Sequence, residues 1–431
     1  MKTAALYTLG CKVNQYETEA MAELFSAAGY EIVDFSEKSD IYVINTCSVT
    51  NMSDRKSRQI IRRAKKTNPD SLIAVTGCYA QTAPDEVLSI DGVNIVIGTK
   101  DRKNIVNLIE TLETTSSINH VSDIMSNHEF EELQIKNYSD RTRAFIKIQE
   151  GCNQFCSYCV IPYARGPVRS RPMKEVIREI QELASNSFKE IILVGIHVAS
   201  YGVDIENTSL ETLITEIDKI EGIERIRLSS IEPMTLNSAF IDKIKDSKKL
   251  CHHFHISLQS GCDATLKRMN RKYTALQFKE IVDGLRAAFP DSAITTDIMV
   301  GFPGESDEEF TESLNFIREV EFADAHIFQY SRRKGTPAAK RPDQIPPEIK
   351  EKRSKIIISE TEKSRDAFLE KFIGKSMRVL FERRTKDGLF EGKTDNYITV
   401  HVPSDIDLND QFKDVLLERN ENGIMIGKIT E

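Results

Sequence analysis

Cys152, Cys156 and Cys159 lie within eight consecutive positions, in the stretch GCNQFCSYC, of a chain with only 8 cysteines in 431 residues. The Cys-x3-Cys-x2-Cys run offers three thiolates from one loop. A structural zinc site takes four donors, usually from two separated pairs. Three thiolates suit three corners of a [4Fe–4S] cube whose fourth iron has no protein ligand. An open iron can bind and cleave a small molecule. A second set of thiols is spread along the first hundred residues. LGCKVN, NTCSVT and TGCYAQ place Cys11, Cys47 and Cys78 each at the end of a short apolar run. If those runs are parallel strands, the three thiols meet at one rim of the sheet, where open α/β folds collect ligands. Gly10, Thr46 and Gly77 beside them leave room for a bulky inorganic group. A second cluster, again with three protein ligands, is expected there.

The elements that must position these thiols follow from hydrophobic patterning. TAALYTLG, DIYVINT and SLIAVTG read as strands, with helical stretches at 15–28 and 52–66 between them. The alternation predicts a parallel α/β sheet domain over residues 1–115. Residues 116–140 are polar and irregular, and read as a linker. Over 141–372 six further strands, FIKIQEG, EIILVGIHV, RIRLSSIE, FHISLQSG, ITTDIMVG and AHIFQYS, each precede a helical pattern or loop. They predict a partial (β/α)6 barrel whose C-terminal mouth carries the GCNQFCSYC loop. Residues 373–431 read as short strands with turns at Asp387-Gly388 and Asn422-Gly423, which predicts a small antiparallel β-barrel.

Strand alternation shows what points into the central barrel. His253, His255, Ser257 and Gln259 share one face, and Phe254, Ile256 and Leu258 the other. Thr295, Asp297, Met299 and Gly301 share a face of the next strand, while Gly195 with His197 and Arg227 with Ser229 supply two more. A barrel filled for stability would be lined by branched apolar side chains, so this polar lining predicts a polar ligand. Glycines at strand ends, Gly195, Gly261 and Gly301, fit close approach of that ligand.

Together LGCKVNQYE, NTCSVT, TGCYAQ, GCNQFCSYC, RSRP, SSIEP, SLQSG, MNRKY, DIMVGFPGE and YSRRKGTPA resemble, in order and over nearly the whole chain, the methylthiotransferases of the radical S-adenosylmethionine (SAM) superfamily. LGCKVNQYE and SLQSGCDATLKRMNRKYT are most similar to the members that act on N6-threonylcarbamoyladenosine beside the tRNA anticodon. The resemblance implies two [4Fe–4S] clusters and SAM as cofactors. Cys152, Cys156 and Cys159 would hold the cluster that chelates and cleaves SAM to a 5′-deoxyadenosyl radical. Cys11, Cys47 and Cys78 would hold the one that carries sulfur, methylated by a first SAM and delivered to C2 of adenine. It further implies SAM contacts from Gly195, Glu232, Ser257, Gln259, Asp297 and Gly301. Arg227 and Arg271 are additional candidates that would serve equally as structural ion pairs. Implied partners are the tRNA anticodon loop, met by the TRAM-like C-terminal barrel, and an electron-donor protein.

Bulk properties narrow the setting. The net charge is −8, so any nucleic acid must be met by a local basic patch. One candidate is the helical stretch carrying Arg55, Lys56, Arg58, Arg62, Arg63, Lys65 and Lys66 opposite Ser57, Ile60, Ile61 and Ala64. Another is Lys375, Arg378, Arg383, Arg384, Lys386 and Lys393. The N-terminal apolar run is too short for a signal peptide and no segment approaches membrane-spanning length, so a cytoplasmic protein without disulfides is expected. Cys251 and Cys262 have no cluster partner and read as structural. Two alternatives stay open: methylthio transfer to isopentenyladenosine in tRNA or to a ribosomal protein side chain, and a non-catalytic iron–sulfur RNA-binding protein.

Overall fold

The computed structural model describes residues 1–112, 117–135 and 142–430. The first layer is a six-stranded, wholly parallel sheet of β1 (Thr3–Thr8), β2 (Glu31–Ile32), β3 (Ile41–Thr46), β4 (Leu72–Gly77), β5 (Ile95–Ile97) and β6 (Ile118–His120), in the order β2-β1-β3-β4-β5-β6. β3 is buried along its whole length, as a central parallel strand must be. The helix Lys12–Ala27 follows β1 and the helix Asn51–Thr67 follows β3, the latter capped by Thr50, whose side chain accepts from the Ser53 amide.

β6 falls inside the segment read as a linker. It is a polar, exposed edge strand, so it carries no apolar signature. Further along the same segment Leu133 and Ile135 are buried against the central domain. Residues 136–140 of that linker lie outside the described residues.

The second layer is an arc of parallel strands in chain order: β7 (Arg143–Glu150), β9 (Glu190–Gly195), β10 (Arg225–Leu228), β11 (His253–His255), β12 (Ala293–Val300) and β13 (Asp324–Gln329). A two-residue strand, β8 (Arg169–Ser170), pairs antiparallel with the end of β7. Between β10 and β11 the ladder thins to the bridges Ile226–Leu250 and Ile231–Ile256. Helices 173–185, 210–218, 238–244, 275–288 and 307–320 lie between successive strands of the arc. The expected partial barrel is what the chain builds.

The third layer is a closed five-stranded barrel, β14 (Ser376–Arg384), β15 (Phe390–Lys393), β16 (Thr399–Val402), β17 (Phe412–Glu421) and β18 (Ile424–Ile429). Its pairs are antiparallel except β16–β18. Asn422 and Gly423 both take left-handed backbone (φ 54° and 85°) in the β17–β18 turn, as a two-residue hairpin loop requires.

The layers share cores. Val13, Tyr16 and Ala20 of the first helix sit in the same apolar cluster as Ile146, Ile148, Leu193 and Val194 of the central strands. The Tyr16 hydroxyl also donates to the Leu133 carbonyl.

Candidate active site

β1, β3 and β4 are neighbours in the sheet, so the turns that follow them lie side by side and bring Cys11, Cys47 and Cys78 to one rim. Gly10 takes φ 107°, and a Cβ there would fall 2.8 Å from Cys47 Cβ and 2.9 Å from its Sγ. Only glycine lets the two turns approach this closely. Asn14 ties the rim together: its Nδ2 donates to the Leu9 carbonyl at 2.7 Å and to the Thr46 carbonyl at 3.0 Å. Cys47 and Cys78 are buried. Cys11 is accessible yet closely surrounded by protein, so it lines a recess rather than a convex surface. Burial, with the neighbouring Cys78 second, pushes the Cys47 thiol up to about 11. Without a metal the Cys47 thiol holds its proton, and a metal must displace it.

The second set is carried by the loop after β7. Gly151 takes φ 76°, and a Cβ there would fall 1.8 Å from the Pro167 carbonyl oxygen. The loop is pinned from three sides: the Cys152 amide donates to Gly166 O (3.0 Å), the Ser157 amide to Met269 O (2.9 Å), and Asn270 Nδ2 to Phe155 O (2.9 Å). Burial raises the Cys152 thiol to about 11 and the Cys159 thiol to about 12.

Each set faces a buried guanidinium. Arg165 Nε donates to Cys78 Sγ at 3.2 Å, and Arg271 Nη1 donates to Cys156 Sγ at 3.3 Å. Cations placed against these sulfurs suit the negative charge that a cluster held there would carry. Among the described residues, no three His, Cys, Asp or Glu side chains converge closely enough to hold a single metal ion. In a cube each thiolate holds a different iron, so its ligands stand apart.

Of the predicted SAM contacts, four form one chain of polar contacts at the mouth. Arg271 Nη2 donates to Glu232 at 2.8 Å and to the Ser257 carbonyl at 3.2 Å. Ser257 Oγ donates to Asp297 at 3.4 Å, and the Gln259 amide donates to the Asp297 carbonyl at 2.8 Å. Gln259 holds left-handed backbone, φ 66°, an uncommon conformation for a side chain of its size. Burial acts to raise the Asp297 carboxyl, but His255, 3.2 Å away, and then His326 and Ser257 hold it below its ordinary value.

The two glycines stand differently. At Gly195 a Cβ would meet Gln149 Oε1 at 3.0 Å, so its lack of a side chain makes room for Gln149, which in turn accepts from the His197 amide at 2.7 Å. Gly301 is crossed by the stem of Lys350, whose Cγ would lie 2.3 Å from a Cβ there. Its neighbours are protein atoms.

Arg227 lies at the opposite end of the barrel. It donates to Glu190 at 2.9 Å and to the backbone carbonyls of Asp395 and Thr394 at 2.9 and 3.2 Å, which seats the C-terminal barrel on the starting ends of the strands. Cys251 is buried beside it, and the Cys262 thiol donates to Glu312 at 3.2 Å.

Sequence reading missed Arg165, Asn14, Glu17 and Glu150. Arg165 bonds Glu17 (2.6 Å), Glu150 (2.7 Å) and Asn14 (2.6 Å), and Arg102 and Lys147 pair with the same two carboxylates. The signal available was the density of charged residues in strands and turns that are otherwise apolar. Arg55, Lys56, Arg62, Arg63 and Lys66 of the helix Asn51–Thr67 are all exposed, while Ser57, Ile61 and Ala64 are buried. The basic face is thus a real surface, on a helix that begins four residues after Cys47.

Comparison with known proteins agrees with this geometry. Residues 3–98 match a family described as uncharacterized protein family UPF0004, and residues 146–317 match the radical SAM superfamily. A threonylcarbamoyladenosine tRNA methylthiotransferase MtaB of Bacillus subtilis is 46% identical over 406 residues, covering 93% of this chain and 90% of the relative. Its namesake in Aquifex aeolicus is 40% identical over 92% of this chain and 95% of its own. A tRNA-2-methylthio-N(6)-dimethylallyladenosine synthase of Acetivibrio thermocellus is 36% identical, over 94% of this chain and 86% of its own. Among solved structures, the radical S-adenosylmethionine methyltransferase TsrM of Kitasatospora setae superposes with a TM-score of 0.59 at 15% identity, over 79% of this chain and 77% of that one. That likeness is one of fold.

Proposed function

Because the chain belongs to the radical SAM methylthiotransferase family, we propose that it adds a methylthio group to C2 of N6-threonylcarbamoyladenosine at position 37, next to the anticodon of tRNA. Three relatives at 46%, 40% and 38% identity carry that activity in their names. In this reading Cys152, Cys156 and Cys159 hold one [4Fe–4S] cluster, and Cys11, Cys47 and Cys78 hold a second. When bound, the first supplies the electron that splits SAM to a 5′-deoxyadenosyl radical, and the second supplies the sulfur.

The chain's own residues then have definite tasks. Glu232, Ser257, Gln259 and Asp297 line the mouth as hydrogen-bond partners for the polar end of SAM. Arg271 braces Glu232 and Cys156 at once. Gly195 and Gly301, read as SAM contacts, shape the wall through Gln149 and Lys350. The basic face of the helix Asn51–Thr67 and the C-terminal barrel receive the tRNA. A cytoplasmic setting and an electron-donor protein complete the proposal. No helix among the described residues is long and apolar enough to cross a membrane.

The observation that carries this reading is the bond from Arg165 to Cys78. Arg165 lies six residues after Cys159, so the two thiol sets are separated by one short segment and one hydrogen bond. Two isolated structural clusters would have no need of that proximity.

The test is an anaerobic assay of reconstituted protein with SAM, dithionite and tRNA bearing threonylcarbamoyladenosine, read by nucleoside mass spectrometry. A methylthio mass increase on that nucleoside with 5′-deoxyadenosine formed is expected. Deoxyadenosine alone would transfer the reading to dimethylallyladenosine or a protein side chain. Neither product would leave a non-catalytic RNA-binding protein.

A further inference from the structure

The starting end of the central barrel holds a knot of cations that the proposed chemistry does not use. Tyr397, in the turn between β15 and β16, has left-handed backbone (φ 69°) and stacks on His253 with ring centroids 4.6 Å apart and planes 18° from parallel. Around its ring stand the guanidinium carbons of Arg227 (4.7 Å) and Arg143 (5.7 Å) and the ammonium of Lys393 (4.7 Å). Lys12 is half-buried, and the charged or phenolic groups that act on it most are Tyr397, Arg143, Arg227 and Glu190. Arg225 completes the set from 3.7 Å of Glu190.

The carboxylates present do not balance these charges. Glu190 is shared by Arg227 at 2.9 Å and, more loosely, by Arg143 at 3.8 Å. Glu382 takes one hydrogen bond from Arg143 at 2.9 Å. Glu391 is engaged elsewhere, by Arg383 and His401. Five cations (Lys12, Arg143, Arg225, Arg227 and Lys393) thus face Glu190 and Glu382, with Glu391 and Asp395 acting from further off on Lys393 and Arg225, which leaves a surplus of positive charge. Arg143 Nη1 is buried with no hydrogen-bond acceptor. Beside it opens a cavity of about 430 Å³ lined by Arg143, Phe145, Lys393, Glu382 and Glu391 among others. A surplus of buried positive charge next to an open cavity is a site for an anion.

Lys12 joins this site to the chemistry. It follows Cys11 directly, and adjacent Cα atoms are about 3.8 Å apart, so the group of cations around Tyr397 adjoins the thiol rim. A threonylcarbamoyl group ends in a carboxylate and a hydroxyl, whereas a dimethylallyl group is wholly apolar. A pocket with surplus positive charge accepts the first and rejects the second, which would leave that surplus buried without a counter-charge. Resting on the substrate class proposed above, we propose that Lys12, Lys393 and the Tyr397 hydroxyl bind the carboxylate of the modified adenosine, with Arg143 behind them, and so select this substrate.

The experiment uses the full chain and two anticodon stem–loop RNAs, one bearing threonylcarbamoyladenosine and one its carboxamide, which differ by a single charge. Fluorescence anisotropy reads binding without turnover. The expected result is about tenfold tighter binding of the carboxylate RNA. Lys393→Met and Lys12→Met should each bind both RNAs alike, and Lys393→Arg should restore the preference. Equal affinity of the unaltered protein for the two RNAs overturns the proposal. Equal loss on both RNAs in the Met variants also overturns it, and would assign the cations to backbone phosphate. A preference that persists in protein giving no methylthio product would instead separate this pocket from the proposed activity.

Discussion

Arg165 Nε stands 3.2 Å from Cys78 Sγ although the two residues are 87 positions apart and belong to different layers. The same side chain binds Glu17 of the first helix and Glu150 at the end of β7. One guanidinium therefore fixes the thiol rim of the sheet against the strand that launches the second cysteine loop. A cation fully removed from water is stable here only because carboxylates and a sulfur surround it.

The two thiol sets are expected to fail independently. Cys156→Ala should leave about half the iron of the reconstituted protein and abolish 5′-deoxyadenosine formation. Cys47→Ala should also lose about half, yet keep SAM cleavage while making no methylthio nucleoside. Iron quantification with product analysis checks both. Loss of all iron in either variant would show instead a single shared site.

The buried network predicts acid sensitivity. Burial works to raise Glu17, but Arg102, Arg165 and Lys147 overcome it and hold the carboxyl below its ordinary 4.5. Glu150 is depressed further, again against burial, by Lys147, Arg102 and Arg165. Carboxyls depressed in the folded state stabilise it fully above the unfolded pKa, and that contribution is lost as pH falls through the folded value. Melting temperature of the metal-free protein should hold near neutrality and drop as pH goes below about 4.5. Glu17→Gln should flatten that drop while costing about 3 kcal/mol at neutral pH, because it strands buried cations.

The exposed face of the helix Asn51–Thr67 should act through charge alone. Arg62→Glu, Arg63→Glu and Lys66→Glu, which alter exposed side chains, are expected to weaken tRNA binding irrespective of the base at position 37. For every phosphate no longer neutralised, the slope of log affinity against log salt should fall by about 0.7 to 0.9. An unchanged slope would mark this face as an ordinary solvated surface.

Arg227 should anchor the C-terminal barrel rather than hold SAM. Arg227→Met removes its bonds to Asp395 and Thr394 and leaves Glu190 with only the looser Arg143 and Arg225. A stability loss of about 3 kcal/mol is expected, with faster hydrogen exchange across 394–398. SAM affinity should be unaffected.

Much of this architecture was legible because local signals agreed with the fold. Apolar runs ending in Gly-Cys or Thr-Cys predicted both the parallel sheet and its thiol rim. Period-two reading placed His253 and Asp297 on the correct inner faces. It could not give depth along the barrel: Asp297 hydrogen-bonds with the mouth residues, whereas His253 lies under Tyr397 at the far end. Arg165 was missed because its partner Glu17 is 148 positions away, and a local density of charge does not say which charges are buried together. β6 escaped notice because an exposed edge strand needs no apolar alternation. At Gly301 the left-handed backbone was foreseeable, but Lys350, which fills the space beside it, comes from a helix 49 positions on.

The apolar cluster shared by the first helix and the central strands has a consequence for how the chain is made. Val13, Tyr16 and Ala20 leave the ribosome early, yet Leu193 and Val194, which cover them, are made only with β9. At synthesis rates of about 5–20 residues per second, that face stays incompletely covered for roughly ten to forty seconds. For 87 residues of that synthesis Cys78 is present without Arg165. The nascent sheet is therefore a client for whatever shields apolar surface and thiols during translation, and iron delivered before residue 165 emerges would meet an unfinished rim.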